Sequence, residues 1–304
     1  MDNLKFREIK ITDKNLFNKY LSRSSFMGSE YSFPSLFIWR YRYGYKIAEF
    51  NGHLIVSVTD KLNNYFFYPV GDGNLKETIE AIFNYSQKVG WKCRIAAITK
   101  ENIGTLEQVF PNKFRFISKR EFSDYIYDSA SLINLSGQKY KSKRNHINRF
   151  IQEYGEVSYE DITPNNIDEC KEGYNQWLEN KKDKGEEIDS FSDEIIAMKE
   201  CFNHYQDIGL IGGLIRARGN LCSFTFGSKI NNETFGINVE KSLIECQGGY
   251  AVINKEFARR HASEYKYINR EEDLGIKGLR QSKLSYHPLF LLEKFTAIHK
   301  GILL

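Results

Sequence analysis

Four groups of residues in this chain have the types and spacing to do chemistry. The first is Glu240, at the end of a strand read from Thr234 to Glu240. A carboxylate at a strand end, partly withdrawn from water, suits general-base work on an amine. A solvated surface glutamate is the plainer alternative, and Glu245 is the rival for the same task. The second is the pair Gly248-Gly249, which opens a helix of about Tyr250 to Arg260. Glycines at a strand-to-helix junction expose backbone N–H groups at the positive end of a helix, which suits phosphate or pyrophosphate. A turn that only lets strand and helix approach closely would carry the same residues.

The third group is the basic run from Gly137 to Phe150, with Lys139, Lys141, Lys143, Arg144, His146 and Arg149. Tyr140 is interleaved, and Asn145 and Asn148 lie beside the cations. Clustered cations with an aromatic ring fit phosphate contact and base stacking, and they also fit a solvated helix face. The fourth group runs from Asn269 to Pro288 and follows a short strand directly. Asn269 and Asp273 supply hydrogen-bonding groups there, and Gly275 and Gly278 supply hinges. Arg280 and Lys283 have the charge to neutralise an anion, and Lys283 to stabilise an oxyanion; Tyr286 has the hydroxyl to protonate a leaving oxygen. A charge-balanced surface loop is the alternative for this segment.

The elements that must position these groups follow from pattern. Tyr45–Phe50 and His53–Thr59 flank Asn51-Gly52, a strong hairpin signal, and Tyr65–Val70 adds a third strand. Asn74 caps a helix over Leu75–Val89, a buried strand covers Cys93–Ile98, and a short helix stops before Pro111. Phe114–Tyr127 reads as long strand material with a charged middle, Ser118–Glu121; Ser129–Gly137 is small and polar enough for a linker, although Leu132, Ile133 and Leu135 suggest that it packs. Helices are expected at the basic run, at Ile167–Leu178 and at Glu194–Tyr205, with an exposed loop at Glu179–Asp189. Strands at Gly212–Ala217, Leu221–Lys229 and Thr234–Glu240 precede the glycine-led helix, a strand at Tyr265–Asn269 follows it, and Pro288–Ile298 supplies the final strand. Two hairpin, helix, strand units of about 140 residues each predict two similarly built α+β domains, 1–133 and 134–304, the second carrying the site.

Composition bounds the rest. The 304 residues are 41% hydrophobic and 27% charged, with 19 Tyr and 22 Phe, enough to build a sizeable core. The net charge of +4 permits an anionic partner without demanding one. No apolar run approaches the ~18 residues of a membrane helix, and the amino terminus lacks the apolar stretch of a secretory signal. A cytoplasmic protein with at most peripheral membrane contact is expected. Five scattered cysteines without a Cys-x-x-Cys pair are expected to be buried free thiols, and no metal site is expected. The absence of a His-Glu-x-x-His motif and of a phosphate-binding Gly-x-x-x-x-Gly-Lys-Ser/Thr loop argues against metalloprotease and nucleoside-triphosphatase chemistry.

Long stretches of the chain also resemble a known family. Phe122-Ser-Asp-Tyr-Ile-Tyr and Leu135-x-Gly-x-x-Tyr-x-x-Lys-Arg-Asn-His-Ile-Asn-x-Phe150 are similar to the soluble proteins grouped with the phosphatidylglycerol lysyltransferase C-terminal domain. So are Asn238-Val-Glu-Lys, Gly249-Tyr-Ala-x-Ile-Asn-x-Glu-Phe-Ala258 and Tyr267-Ile-Asn-Arg-Glu-Glu-Asp-Leu-Gly-Ile-x-Gly-Leu-Arg-x-x-Lys-Leu-Ser-Tyr286. The resemblance implies two tandem GNAT-like acyltransferase domains with mixed, mostly antiparallel sheets flanked by helices, related to the Fem-type aminoacyltransferases. It implies transfer of an aminoacyl group from aminoacyl-tRNA to an amine or hydroxyl acceptor, with tRNA as partner and no tightly bound cofactor. Two further readings stay open: N-acyl transfer from an acyl-CoA donor to a small amine, and a non-catalytic binding protein of the same fold. Acyl-CoA enzymes of this fold hold pyrophosphate with Gln/Arg-x-x-Gly-x-Gly/Ala, from which Gln247-Gly-Gly-Tyr-Ala departs in spacing.

Overall fold

The structure is a computed structural model that describes residues 4–21, 24–60, 63–243 and 246–301; Glu245 lies outside them. The chain begins with strand β1 (Arg7–Glu8) and helices α1 (Lys14–Leu21) and α2 (Phe33–Tyr43). Strands β2 (Lys46–Phe50), β3 (His53–Thr59), β4 (Asn64–Phe67) and β5 (Val70–Gly71) lead to α3 (Leu75–Lys88), β6 (Arg94–Ile98), α4 (Lys100–Val109) and β7 (Phe114–Ser118). Then come β8 (Asp124–Asp128), α5 (Ser129–Asn134), α6 (Lys141–Tyr154), β9 (Val157–Asp161), α7 (Ile167–Asp183) and α8 (Ser192–Ile208). Strands β10 (Ile211–Ala217), β11 (Asn220–Lys229) and β12 (Thr234–Ser242) precede α9 (Gly249–His261) and β13 (Tyr267–Asn269). Helix α10 (Lys277–Leu284) and strands β14 (Phe290–Leu292) and β15 (Phe295–His299) close the described chain.

Two mostly antiparallel sheets form, ordered β1-β2-β3-β4-β6-β15-β7 and β14-β8-β13-β12-β11-β10-β9, with β5 against β3. The parallel pairs are β4 with β6 and β12 with β13, each joined by a helix, α3 or α9, as parallel neighbours require. Local signals placed several of these elements. Asn51 (φ 45°) and Gly52 (φ 76°) make the left-handed turn between β2 and β3, and Asn74 accepts from Glu77 N to cap α3.

The halves exchange a strand. β7 lies in the first sheet, yet the next strand, β8, pairs with β13 and β14 in the second. β14 lies in the second sheet, yet β15 inserts between β6 and β7 in the first. The strand material expected over Phe114–Tyr127 therefore forms two strands, broken at its charged middle by a 3-10 turn at Arg120–Phe122. The tail likewise splits at Glu293-Lys294. The 133/134 boundary falls inside α5, with β8 before it and β15 after it on the opposite sheets.

Lys294 sits at the crossing point. Its Nζ lies 2.8 Å from Asp124 Oδ1, 3.0 Å from Glu30 Oε2 and 3.8 Å from Glu272. Asp124 Oδ2 also accepts from Ser29 N and Asn269 Nδ2. One hydrophobic core spans both halves, with Phe33 and Phe37 of α2 in the same cluster as Met198 and Cys201 of α8, and Arg40 bonds Glu200 at 2.7 Å.

Other expectations change. Ser129–Gly137 packs, as its leucines suggested, rather than serving as a linker: Asp128 caps α5 by accepting from Ser131 N, and Leu132 and Leu135 are fully buried. Residues 277–284, within the segment for which a surface loop was the alternative, are helix α10, and α7 extends through the start of the loop expected at Glu179–Asp189, to Asp183. α1, α2 and the polar edge strand β9 had no sequence assignment. Cys222 and Cys246 form a disulfide rather than free thiols, while Cys93, Cys170 and Cys201 are buried and free. The pairing arises because β12 returns along β11, so that Leu243 N bonds Cys222 O and the chain just beyond meets Cys222.

Candidate active site

β12 and β13 pair over three residues, Thr234–Gly236 against Tyr267–Asn269. Beyond that, β12 continues along β11 to Ser242, while the other chain turns away through Glu271, held at φ 58°. Asn269 Oδ1 accepts from Glu271 N at 2.6 Å and fixes that turn. Arg270, the first residue past β13, reaches back to β12 at the point where the strands part.

Its Nη2 donates to Glu240 Oε1 at 3.0 Å, and both side chains are about 10% exposed. Asn254 of α9 donates through Nδ2 to Glu240 Oε2 at 3.0 Å. Both carboxylate oxygens are thus engaged. The Arg270 guanidinium lies 4.8 Å from the Tyr286 ring and 5.8 Å from the Tyr127 ring. Lys143 Nζ, from the inner face of α6, lies 3.9 Å from the same Tyr286 ring. Two buried atoms of this cluster have no partner among the described residues: the donor Arg270 Nη1 and the acceptor Asn254 Oδ1. Leaving such groups unpaired is costly, so native proteins usually reserve them for a water or a ligand.

Burial and then the Arg270 charge push the Lys143 ammonium down to about 8, with Glu240 pulling the other way. About a tenth of this amine is therefore neutral near pH 7, far more than for an ordinary lysine, and that fraction can act as a base. Burial pushes the Tyr286 hydroxyl well up, with Arg270 opposing, so it stays a proton donor.

The remaining residues singled out from sequence build the frame. Lys283 is buried, and its Nζ donates to the backbone carbonyls of Arg270, at 2.6 Å, and Glu272. Tyr127 OH donates to Lys283 O at 2.7 Å. Lys283 thus fixes the Arg270 turn, with its ammonium committed to backbone. Asn269 donates to Asp124 and to Met27 O. Asp273 is fully buried and accepts from Tyr125 OH, Arg120, Gly275 N and, bidentately, Arg280. The Arg280 guanidinium foremost holds that carboxyl well below the usual carboxylate range. Arg280, expected to be available to an external anion, is already bound to this internal one. Glu271 is pushed up to about 8, chiefly by burial and next by Glu272.

Helix α6 has two faces. Arg144 turns inward and donates to Leu135 O and Gly137 O, closing the turn before the helix. Lys141, Ser142, Asn145, His146 and Arg149 line an open concavity on the outer face, and Lys139 is exposed beside them. His287 Nε2 donates to Lys139 O at 3.0 Å. The two glycines are needed for packing. Gly248 has φ 93°, and a Cβ there would press on His146 O; a Cβ on Gly249 would meet Ser242 Oγ. The start of α9 therefore lies against both α6 and β12.

The structure brings Glu240, Lys143 and Tyr286 together. It sets Lys283, Asn269, Asp273 and Arg280 behind them, and Lys139, Asn145 and His146 on the outer helix face. Sequence reasoning missed Arg270 and Asn254. The signal for Asn254 was a polar residue on the otherwise apolar face of α9, among Val252, Ile253, Phe257 and Ala258.

Two tandem sheets, each with a parallel pair bridged by a helix, make a mixed α+β fold of two GNAT-like halves. The chain belongs to the family described as phosphatidylglycerol lysyltransferase, C-terminal, whose model matches residues 22–298. A crystal structure of a conserved protein of unknown function from Bacteroides thetaiotaomicron VPI-5482 is similar at a TM-score of 0.93 and 35% identity, covering 98% of this chain and 100% of that one. The C-terminal domain described as a lysylphosphatidylglycerol synthetase from Agrobacterium fabrum shares the fold at 0.66 and 13% identity, covering 95% of this chain and 92% of that one. L-PGS from Bacillus licheniformis does so at 0.65 and 12% identity, covering 97% and 94%. A protein of Mycoplasmoides gallisepticum is 23% identical over 174 residues, 57% of this chain and 55% of its own; the chain thus spans about half the length of that relative. Among the described residues, no helix is long and apolar enough to cross a membrane.

Proposed function

We propose that this protein transfers an aminoacyl group from an aminoacyl-tRNA to an amine or hydroxyl acceptor. The observation that supports the reading is the buried Lys143 amine, its proton loosened by burial and by Arg270, near the unpaired Arg270 Nη1, on a helix whose opposite face is basic. The acceptor gives its proton to Lys143 Nζ and attacks the ester carbonyl, forming the new C–N or C–O bond. Arg270 Nη1 donates to the oxyanion that develops, in a water-poor setting where such a bond is strong. As the intermediate collapses, the bond to the ribose oxygen breaks and Tyr286 protonates that oxygen. The proton on Lys143 then returns to Tyr286, closing the cycle. Glu240 holds Arg270 in place rather than acting as the base. The outer face of α6 takes the acceptor stem through phosphate contacts. The names of the solved relatives make a lysyl donor and a phosphatidylglycerol hydroxyl the first pair to assay.

The test is binding of a charged tRNA pool, with uncharged tRNA and acetyl-CoA as competitors, at low and moderate salt. Preference for charged tRNA with a steep salt dependence is expected. Binding of acetyl-CoA in its place would move the protein to acyl-CoA-dependent transfer. Binding of neither would leave a non-catalytic member of the fold.

A further inference from the structure

The two unpaired buried atoms beside Glu240 are of opposite kind: Arg270 Nη1 is a donor and Asn254 Oδ1 an acceptor. Both belong to groups that grip the same carboxylate. Arg270 holds Glu240 Oε1 through Nη2, and Asn254 holds Oε2 through Nδ2, each at 3.0 Å. This grip fixes the polarity of the free asparagine atom. Glu240, ion-paired to Arg270, only accepts, so it faces the amide nitrogen and leaves the amide oxygen over. Asn254 is 2% exposed, on a helix face that also buries Ile253, Phe257 and Ala258. An unpaired oxygen there costs stability that an aliphatic residue would not.

A donor and an acceptor held by one carboxylate match a ligand that carries an acceptor and, next to it, a donor. An ester carbonyl with an amine on the adjacent carbon has this pattern. Its carbonyl oxygen accepts from Arg270 Nη1, and its α-ammonium donates to Asn254 Oδ1 with the Glu240 charge close by, a charge-assisted bond. A plain acyl group supplies only the first bond and leaves Asn254 Oδ1 unpaired. A site built to hydrogen-bond an N–H rejects analogues that lack it far more strongly than an apolar pocket rejects a missing methylene. We infer that Asn254 selects an α-amino acyl group over a plain acyl group, and that Glu240 sets the specificity by deciding which end of the Asn254 amide is offered. This deepens the transfer reading above and rests on it for the source of the ester.

The test needs neither tRNA nor turnover, so it can fail apart from that reading. Amides of the standard α-amino acids, each paired with its deamino counterpart (alaninamide with propionamide, for one), are titrated into the full chain by ligand-observed NMR. The best-bound amide should exceed its counterpart by about tenfold to a hundredfold, the range set by one buried acceptor left unpaired. Asn254→Leu should bring the two to near equality. Glu240→Gln keeps the volume but offers an N–H to Asn254, which turns that amide over and presents Nδ2 instead; the preference should vanish there too. A residue that only held Glu240 in place would weaken both members of a pair alike and leave their ratio untouched. Equal binding of the pair by the native protein, binding of neither, or an unchanged ratio in either variant would each overturn the inference. A preference for the α-amino amides in a protein that binds no charged tRNA would keep Asn254 as the reader of the amine and remove tRNA as its source.

Discussion

Replacing Lys294 by methionine should expose how much of the stability rests on the crossing of the two halves. Its side chain is 13% exposed, and its ammonium serves Asp124, Glu30 and Glu272 at 2.8, 3.0 and 3.8 Å. Methionine keeps the volume and removes the charge, leaving three carboxylates facing one another. Breaking a buried ion pair from one side costs about 3–5 kcal/mol. In a chain of this size that is a fall in Tm of about 6–10 °C. The loss should depend on pH. In the native protein burial pushes the Glu30 carboxyl up to about 6, with Lys294 pulling it back. Burial also opposes the charge on Asp124, but Lys294 overcomes it and holds that carboxyl below its usual range. Without the ammonium, the folded-state values of all three rise. A group raised on folding contributes its stability at low pH and loses it as pH rises through the folded value. The deficit should therefore be full at pH 8 and shrink toward pH 5, as Glu30 and Glu272 take up protons. Urea denaturation of both proteins at several pH values measures this. A deficit below about 1 kcal/mol, the range of an exposed pair, or one equal at pH 5 and pH 8, would refute the reasoning.

Three further outcomes follow from the site. Asp273→Asn should cost about 2–3 kcal/mol, discounted because Arg120 and Arg280 are 41% and 35% exposed; since the native carboxyl is strongly depressed, its contribution is lost only in strong acid, and denaturation should show the same deficit at pH 5 and pH 8. Gly248→Ala should cost about 1–3 kcal/mol by the same measurement, through its left-handed φ and its contact with the α6 backbone. In a transfer assay the native rate should rise with pH toward about 8 as Lys143 loses its proton. Lys143→Met should lower it about 10²–10⁴-fold and remove that limb, with stability unchanged.

Much of this fold was readable because its signals are local. Asn51-Gly52, the Asn74 cap and the glycine-led α9 each declare themselves within a few residues. The partner sheet of a strand is not local. Alternation in Phe114–Ser118 and Asp124–Asp128 marks extended chain, while the exchange between sheets depends on what lies beside each strand in space. The Cys222–Cys246 bridge escaped for the same reason, since its two ends meet through strand pairing rather than spacing. Within the candidate site, Glu240, Lys143 and Tyr286 were singled out by type, but type alone could not distribute roles. Ile147 and Phe150 mark the inner face of α6, and helical phase sets Lys143 on that face and Arg149 away from it, but Arg144 and His146 both fall at its margins and only the fold assigns them. Arg270 was hidden because an arginine just past a short strand looks like surface; the splayed strands bury it.

The exchanged strands also set an order of assembly during synthesis. The first sheet has its place between β6 and β7 filled by residues 295–299, nearly the last of the described chain to leave the ribosome. Until then Ile95 and Ile98 on one side and Phe114 on the other lack the strand that carries Ala297 and Ile298. The amino-terminal half, though made first, must wait with an open slot while the other half forms around β8. Closure of that slot is the late step, and it falls to the short segment anchored by Lys294. A nascent chain stalled before residue 295 should thus present a gapped sheet edge of the kind that chaperones bind.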